Sequence, residues 1–221
     1  MKRFISVLAV SMLLVSCSGK PVARVALSFD IADTNVQQAL TLTSMRVVER
    51  RVEHLGEELV DKQINTKGSG TTLTLTLKTS EGIKALISEL TAPFSMRVMV
   101  QTGSGETADI SVEGHGSFRE TGITEKDLEW VDARKDPVTG KGEVRMDFTA
   151  DGKEKMKVLF KQVKGKNIGL FVRDRLVSQL HVETDIFPNT ILIRDVPSAE
   201  LAQVFADDMV VGLHVTFTLL P

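Results

Sequence analysis

The sequence predicts an α+β fold: two consecutive β-α-β-β-α-β units with mixed or antiparallel sheets. Three observations predict it. Strand-like alternation recurs along the chain, most strictly at 71–77, where Leu73, Leu75 and Leu77 oppose Thr72, Thr74 and Thr76. Amphipathic helical patterns with i, i+3, i+4, i+7 spacing fall between the alternating runs. The order of elements is the same in both halves, and it is the split pattern of ferredoxin-like folds.

In the first half, Val25, Leu27 and Phe29 alternate with Ala26 and Ser28, which reads as a half-buried strand. Asp33 or Thr34 can cap a helix over 35–55, with Val36, Leu40, Val47, Val48, Val52 and Leu55 near one face. Arg46, Glu49, Arg50 and Glu53 face water, and Gly56 follows as a C-cap. A polar strand at 58–65 and a turn at 67–70 lead into the 71–77 strand. Ser80 caps a helix carrying Ile83, Leu86, Ile87 and Leu90 inward, and Pro93 ends it. Phe94, Met96, Val98 and Val100 then alternate.

Residues 102–122 are glycine-rich and read as a connection or hairpin with one weak strand at 110–112. An amphipathic stretch at 123–131 reads as a short helix starting at Thr124. Asp136, Pro137 and Gly140 supply turn chemistry. Val144, Met146 and Phe148 form a strand, and a helix over 151–164 carries Met156, Leu159, Phe160 and Val163 on one face. Residues 168–182 are extended, turned at Asp174-Arg175, and 190–194 is a strand. Ser198 opens a helix with Leu201, Val204, Phe205 and Met209 inward, Gly212 stops it, and Leu213, Val215, Phe217 and Leu219 form the last strand. The division expected is 1–16 signal peptide, 17–23 tether, 24–101 first subdomain, 102–142 connection and 143–221 second subdomain.

The N-terminus combines Lys2 and Arg3, an apolar run over 4–15, and Ser16 before Cys17, which is the pattern of a secretory signal. A run of about a dozen apolar residues is short of the roughly 20 that a spanning helix needs. Residues 14–17, Leu-Val-Ser-Cys, resemble the lipobox of bacterial lipoproteins, and Cys17 is the only cysteine in the chain. Cleavage after Ser16 and lipidation of Cys17 are expected, since the chain has no second thiol for a disulfide. The resemblance implies a protein anchored by lipid and facing the periplasm, with Ser18 favouring the outer membrane of a Gram-negative envelope.

Without Lys2 and Arg3 the remaining chain has 25 basic against 29 acidic side chains. That weakly acidic balance leaves no electrostatic footprint for nucleic acid. One Trp and no Tyr argue against a stacking surface for bases or sugars. His54, His115, His181 and His214 lack metal-ligand spacing, and His214 reads as solvent-facing on the last strand. The Gly103 and Gly114 regions read as flexible loop rather than phosphate cradles. Asp174, Asp185 and Asp195 lack the density of a calcium loop, and Ser178 has no glycine-framed elbow. Six lysines from Lys153 to Lys166 read as a solvated face, and Met45, Met96, Met99, Met146, Met156 and Met209 as core. No enzyme chemistry and no cofactor or metal site are expected.

Both halves carry motifs in a recognisable order. The first is residues 43–56, ending Arg50-Arg51-Val52-Glu53-His54-Leu55-Gly56. The second half has Thr121-Gly122 leading to Asp127-Leu128, then Asp136, Thr139-Gly140, Val144, Phe148-Thr149 and Gly152. Lys164-Gly165-Lys166, Ile168 and Asp174-Arg175-Leu176-Val177-Ser178 follow. Together they resemble the first periplasmic domain of SecD, the accessory subunit of the bacterial protein-export channel. The resemblance covers about 24–221 and implies a ferredoxin-like base, a protruding head and contact with unfolded or emerging polypeptide. The chain departs from the family at its Asp-Gly turn, which is Asp174-Arg175 here, and at Ser178-Gln179-Leu180 and 185–189. It has no counterpart of the family's membrane helices, so proton-driven pulling is not implied.

The function expected is a non-enzymatic, lipid-anchored extracytoplasmic module that binds polypeptide or a protein partner at the membrane, in support of protein export. Asp174, Arg175, Ser178 and Gln179 are the candidate partner-binding residues, and export-channel components are candidate partners. The alternative is a scaffold lipoprotein of the envelope that reuses the fold.

Overall fold

The computed structural model describes residues 20–67, 70–103 and 105–221. Cys17 and the expected signal lie outside them. The chain is α+β, with four α-helices among the described residues and antiparallel pairing in three sheets.

The first sheet grows from β1 (Val22–Phe29), β2 (Leu59–Lys67) and β3 (Gly70–Leu77). Val25, Leu27, Leu73, Leu75 and Leu77 point to one face and are buried there. That face is covered by α1 (Thr34–His54) and α2 (Ser80–Thr91). Asp33 caps α1, its Oδ1 accepting from the Asn35 and Val36 amides at 2.8 and 3.0 Å. Thr79, not Ser80, caps α2 by accepting from the Gly82 amide at 2.9 Å.

The fourth strand of this sheet comes from the far end of the chain. The order is β12-β1-β3-β2, with β12 (Val215–Leu219) antiparallel to β1 and Phe217 opposite Leu27. The consecutive reading placed β4 (Met96–Gln101) there. Instead β4 is the centre of a five-stranded sheet, β10-β9-β4-β6-β5. The reason is its burial on both faces: Met96, Val98 and Val100 enter one core, and Met99 enters another. A strand apolar on both sides belongs inside a sheet covered twice.

The other members are β5 (Ile110–Val112), β6 (Gly116–Thr124), β9 (Asn167–Val172) and β10 (Arg175–His181). Of the connection or hairpin expected at 102–122 the structure has the hairpin, β5 paired with β6, and β6 runs on to Thr124. Its alternation is broken because Val98 pairs with Ile123 and the next residue, Met99, with Glu120. Thr121 and Gly122 are looped out between them, which hides the strand from a period-2 reading.

A third sheet has the order β11-β8-β7, from β7 (Leu128–Lys135), β8 (Gly142–Phe148) and β11 (Thr190–Val196). The helix expected over 123–131 is a single 3₁₀ turn, Glu125–Asp127, followed by β7. Thr124 does cap that turn, and Asp127 Oδ2 accepts from the Thr124 amide at 2.9 Å. The helical spacing has a specific cause. Leu128 faces Phe148 and Trp130 faces Asp147, leaving Glu129 as an extra residue. The bulge brings Leu128 and Val131 to the same buried side, so a strand mimics an i, i+3 pair.

Two helices join the sheets. α3 (Ala150–Val163) sends Met156, Leu159 and Val163 into the main core. α4 (Ala199–His214) spans both large cores: Ala202, Ala206 and Met209 enter the main one, Val210 and Val211 the first-sheet one. Ser198 caps α4 as expected, but Leu201 is 49% exposed, because Ala202 is the residue set against Gly142. Gly212 does not stop α4. It admits the Phe94 ring: a Cβ there would lie 2.3 Å from Phe94 Cδ2.

α1 and α4 are clamped by Asp207, whose side chain is only 2% exposed. Arg46 reaches it through Nε and Nη2 at 2.9 and 2.8 Å, Arg50 Nη1 at 3.1 Å, and Gln203 at 2.8 Å. Burial pushes the Asp207 carboxyl up. The hydrogen bonds from Arg46 and Gln203, with the Arg46 and Arg50 charges, outweigh it and hold the group below the usual carboxylate range.

Candidate functional site

The expected partner-binding residues fall on the β9–β10 hairpin. Its turn is Arg173-Asp174, both at positive φ (47° and 62°), one residue before the expected position. Positive φ at both central residues is the requirement of a two-residue hairpin turn whose twist matches its strands. Arg175 therefore begins β10. Asp174 Oδ1 accepts from Arg97 Nη2 at 2.5 Å, and Arg97 also pairs with Glu120, so the turn is tied across β9 and β4 to β6.

The four residues do not form one surface. Arg175 and Gln179 are exposed, and Asp174 is at the tip. Ser178 stands opposite Leu170, on the side of the sheet that carries the main core, while Gln179 stands opposite Gly169 on the other side. The register shift at Val177 sets that division. On the Gln179 side, Phe118 and Phe171 meet edge to face at 5.2 Å. They lie over Gly169, where a Cβ would come within 2.9 Å of both rings and of Leu176. A polar chain closes one end: Asn167 donates to Gln101 at 2.7 Å, and His181 Nδ1 lies 2.9 Å from Asn167 Oδ1.

A concavity lies elsewhere, between α3 and β6, with a volume of about 500 Å³. β5 pairs only with the Gly116–Phe118 end of β6, and Asp109 Oδ2 accepts from the next outward amide, that of Glu120, at 2.8 Å. Val100, Ile123, Leu159 and Val163 make an apolar floor, and Val158, 56% exposed, stands at the lip. Arg119, Glu120, Glu154, Gln162 and Lys166 make a polar rim of mixed sign.

The basic helix is largely neutralised. Lys155 pairs with the buried Asp127 at 2.7 Å, Lys157 with Glu154 at 2.7 Å, and Lys166 with Glu106 at 3.2 Å. All six methionines singled out in the sequence are buried. Asp174 and Asp195 are held by Arg97 and Lys141, and among the described residues no three His, Cys, Asp or Glu are gathered to hold a metal ion. His54, His115 and His181 are exposed. His214 corrects the sequence reading: it ends α4 with its side chain 11% exposed. The parity of the last strand misled there, because the helix continues through Gly212 and β12 begins only at Val215. Arg97, Asp207 and Trp130 also organise the molecule, and no sequence pattern marks them, since their partners lie far along the chain.

Solved structures similar to this chain include three of SecDF. One is the crystal structure of SecDF, a translocon-associated membrane protein, from Thermus thermophilus (17% identity, 90% of this chain and 30% of that one, TM-score 0.52). The fold is that of a part of SecDF. A second is SecDF in a super-membrane-facing form (16% identity, 91% of this chain and 30% of that one, TM-score 0.50). A third is a structure of SecDF described as a membrane component that enhances protein export (17% identity, 90% of this chain and 98% of that one, TM-score 0.48). The chain thus spans about 30% of the length of the first two. No protein-family model and no curated protein matches it. Among the described residues no helix is long and apolar enough to cross a membrane.

Proposed function

We propose that this chain is a non-enzymatic, extracytoplasmic module of the SecD periplasmic type, anchored by lipid on Cys17, that holds extended polypeptide at the membrane in support of export. The groove between α3 and β6 carries the reading. Its apolar floor suits a chain segment with apolar side chains, and its mixed rim accepts varied sequence. The fold likeness to a translocon-associated protein supports the same role. The ferredoxin-like base and protruding head implied by the sequence belong to this proposal. So do Asp174, Arg175, Ser178 and Gln179, as further contact residues at the tip and on the two faces of the hairpin.

In-cell photo-crosslinking from Val158 and Gln162 in the groove, and from Arg175 and Gln179 on the hairpin, tests it. Adducts with many unrelated secreted chains or with export-channel components are expected. A single dominant envelope protein would replace export with a scaffold role. Radiolabelled palmitate on the wild-type chain, absent from Cys17→Ser, tests the anchor separately.

A further inference from the structure

A second cleft, of about 140 Å³, opens where four segments meet: α1, the end of α2 with its following loop, the α4–β12 junction and the β9–β10 turn. Apolar side chains, Leu90, Phe94, Val211 and Phe217 among them, make part of its lining. Two arginines also line it, Arg51 from α1 and Arg173 from the hairpin. Arg51 donates from Nη1 to the Glu89 carbonyl at 2.9 Å. Among the described residues neither arginine forms an ion pair. The acids nearest Arg51 are Asp208, which is engaged by Arg50 at 3.5 Å, and Glu89, which offers only its carbonyl.

Arg51, half-buried at the cleft, and Arg173, exposed at its mouth, bring two like charges to one cleft. Burial first, and then the charge of Arg173, push the Arg51 guanidinium below its usual range. Arg173 is also held at φ 47°, in a turn position where Gly or Asn is the unstrained choice. Strain kept at a charged residue aimed at a cleft is a mark of a site.

We infer that this cleft binds a phosphate-class oxyanion between Arg51 and Arg173. Guanidinium groups arriving from two separate walls suit an anion with oxygens in several directions, and each supplies charge-assisted donors. Because Arg51 belongs to the first-sheet lobe and Arg173 to the five-stranded sheet, the bound anion fastens one lobe to the other. The phosphate could come from solution or from a lipid headgroup.

Calorimetric titration of the purified full chain in neutral detergent tests this. Inorganic phosphate and monomeric dihexanoyl-phosphatidylglycerol are titrated separately, with chloride at matched ionic strength as the reference. Binding is expected to weaken roughly tenfold or more in Arg173→Gln and Arg51→Gln, the size of one charge-assisted contact. The exposed control Lys84→Gln should leave it unchanged. Arg173 is on an exposed turn, so its variant is expected to fold, and its melting in chloride verifies that. Tighter binding of the lipid assigns the headgroup, and tighter binding of inorganic phosphate assigns the free anion. No binding beyond chloride, equal binding by Arg173→Gln, or tighter binding of acetate than of either phosphate overturns the inference.

Discussion

The imidazole of His214 lies on the indole of Trp130, with ring centroids 5.2 Å apart and planes 26° from parallel. The same ring sits 2.9 Å from Asp30 Oδ1 through Nδ1 and 2.9 Å from the Glu129 carbonyl through Nε2. One side chain at the end of α4 thereby joins the loop after β1 to β7 of the third sheet. The bulge at Glu129 is what presents that carbonyl.

Removing this joint has a measurable effect. His214→Ala is expected to lower stability by about 1–2 kcal/mol, the size of two hydrogen bonds from a largely buried ring to exposed partners plus ring contact. His214→Phe keeps the stack and should recover only part of the loss. Urea unfolding followed by Trp130, the only tryptophan, reads both. Wild-type stability in His214→Ala would show that the two contacts carry no load.

Asp207 makes the α1–α4 clamp sensitive to acid. Its folded carboxyl lies below the ordinary value of about 3.9. The stabilisation is therefore fully present above the unfolded value and is lost as pH falls through the folded one. Asp207→Asn should cost roughly 3–5 kcal/mol at neutral pH, because Arg46 and Arg50 lose the buried carboxylate with which both pair. The difference from wild type should shrink below about pH 4. A pH-independent difference would contradict this.

At Gly212, helix propensity and packing oppose each other. Alanine gains about 1 kcal/mol in a helix interior. The close approach of Phe94 forbids its Cβ, so Gly212→Ala should be net destabilising, by roughly 1–3 kcal/mol. Adding Phe94→Leu should restore part of it, a coupling that thermal melts of the double-mutant cycle would reveal. Additive effects would place the strain elsewhere.

The small cluster of Met99, Phe118 and Phe171 is separate from the two large cores. Phe118→Ala should cost about 3 kcal/mol. Hydrogen exchange should rise first in β5 and β10, whose Ile110, Val112 and Leu176 pack on it, and least in the first sheet. A uniform rise across all sheets would mean the cluster is not local.

The local devices of this fold were legible in its residues. The Asp33, Thr124 and Ser198 caps, the leucine–threonine alternation of β3 and the inward methionines all follow from neighbours a few positions apart. The candidate site was less so. The β9–β10 turn was placed to within one residue, but the α3–β6 groove, the Arg51–Arg173 cleft and the Arg97 and His214 contacts join residues distant in the chain. The lipidation expected at Cys17 lies outside the described residues.

The sequence by itself determined the fold class, most of the helices and strands, and which faces of them are apolar, because hydrophobic period and capping are short-range properties. Only the tertiary structure decided where the strands went. β12 completed the first sheet, β4 took the centre of the five-stranded one, and bulges at Glu129 and Thr121-Gly122 reset which side chains face the core. Strand pairing is a contact between distant segments, and alternation is blind to the partner. Burial on one face or two made the choice.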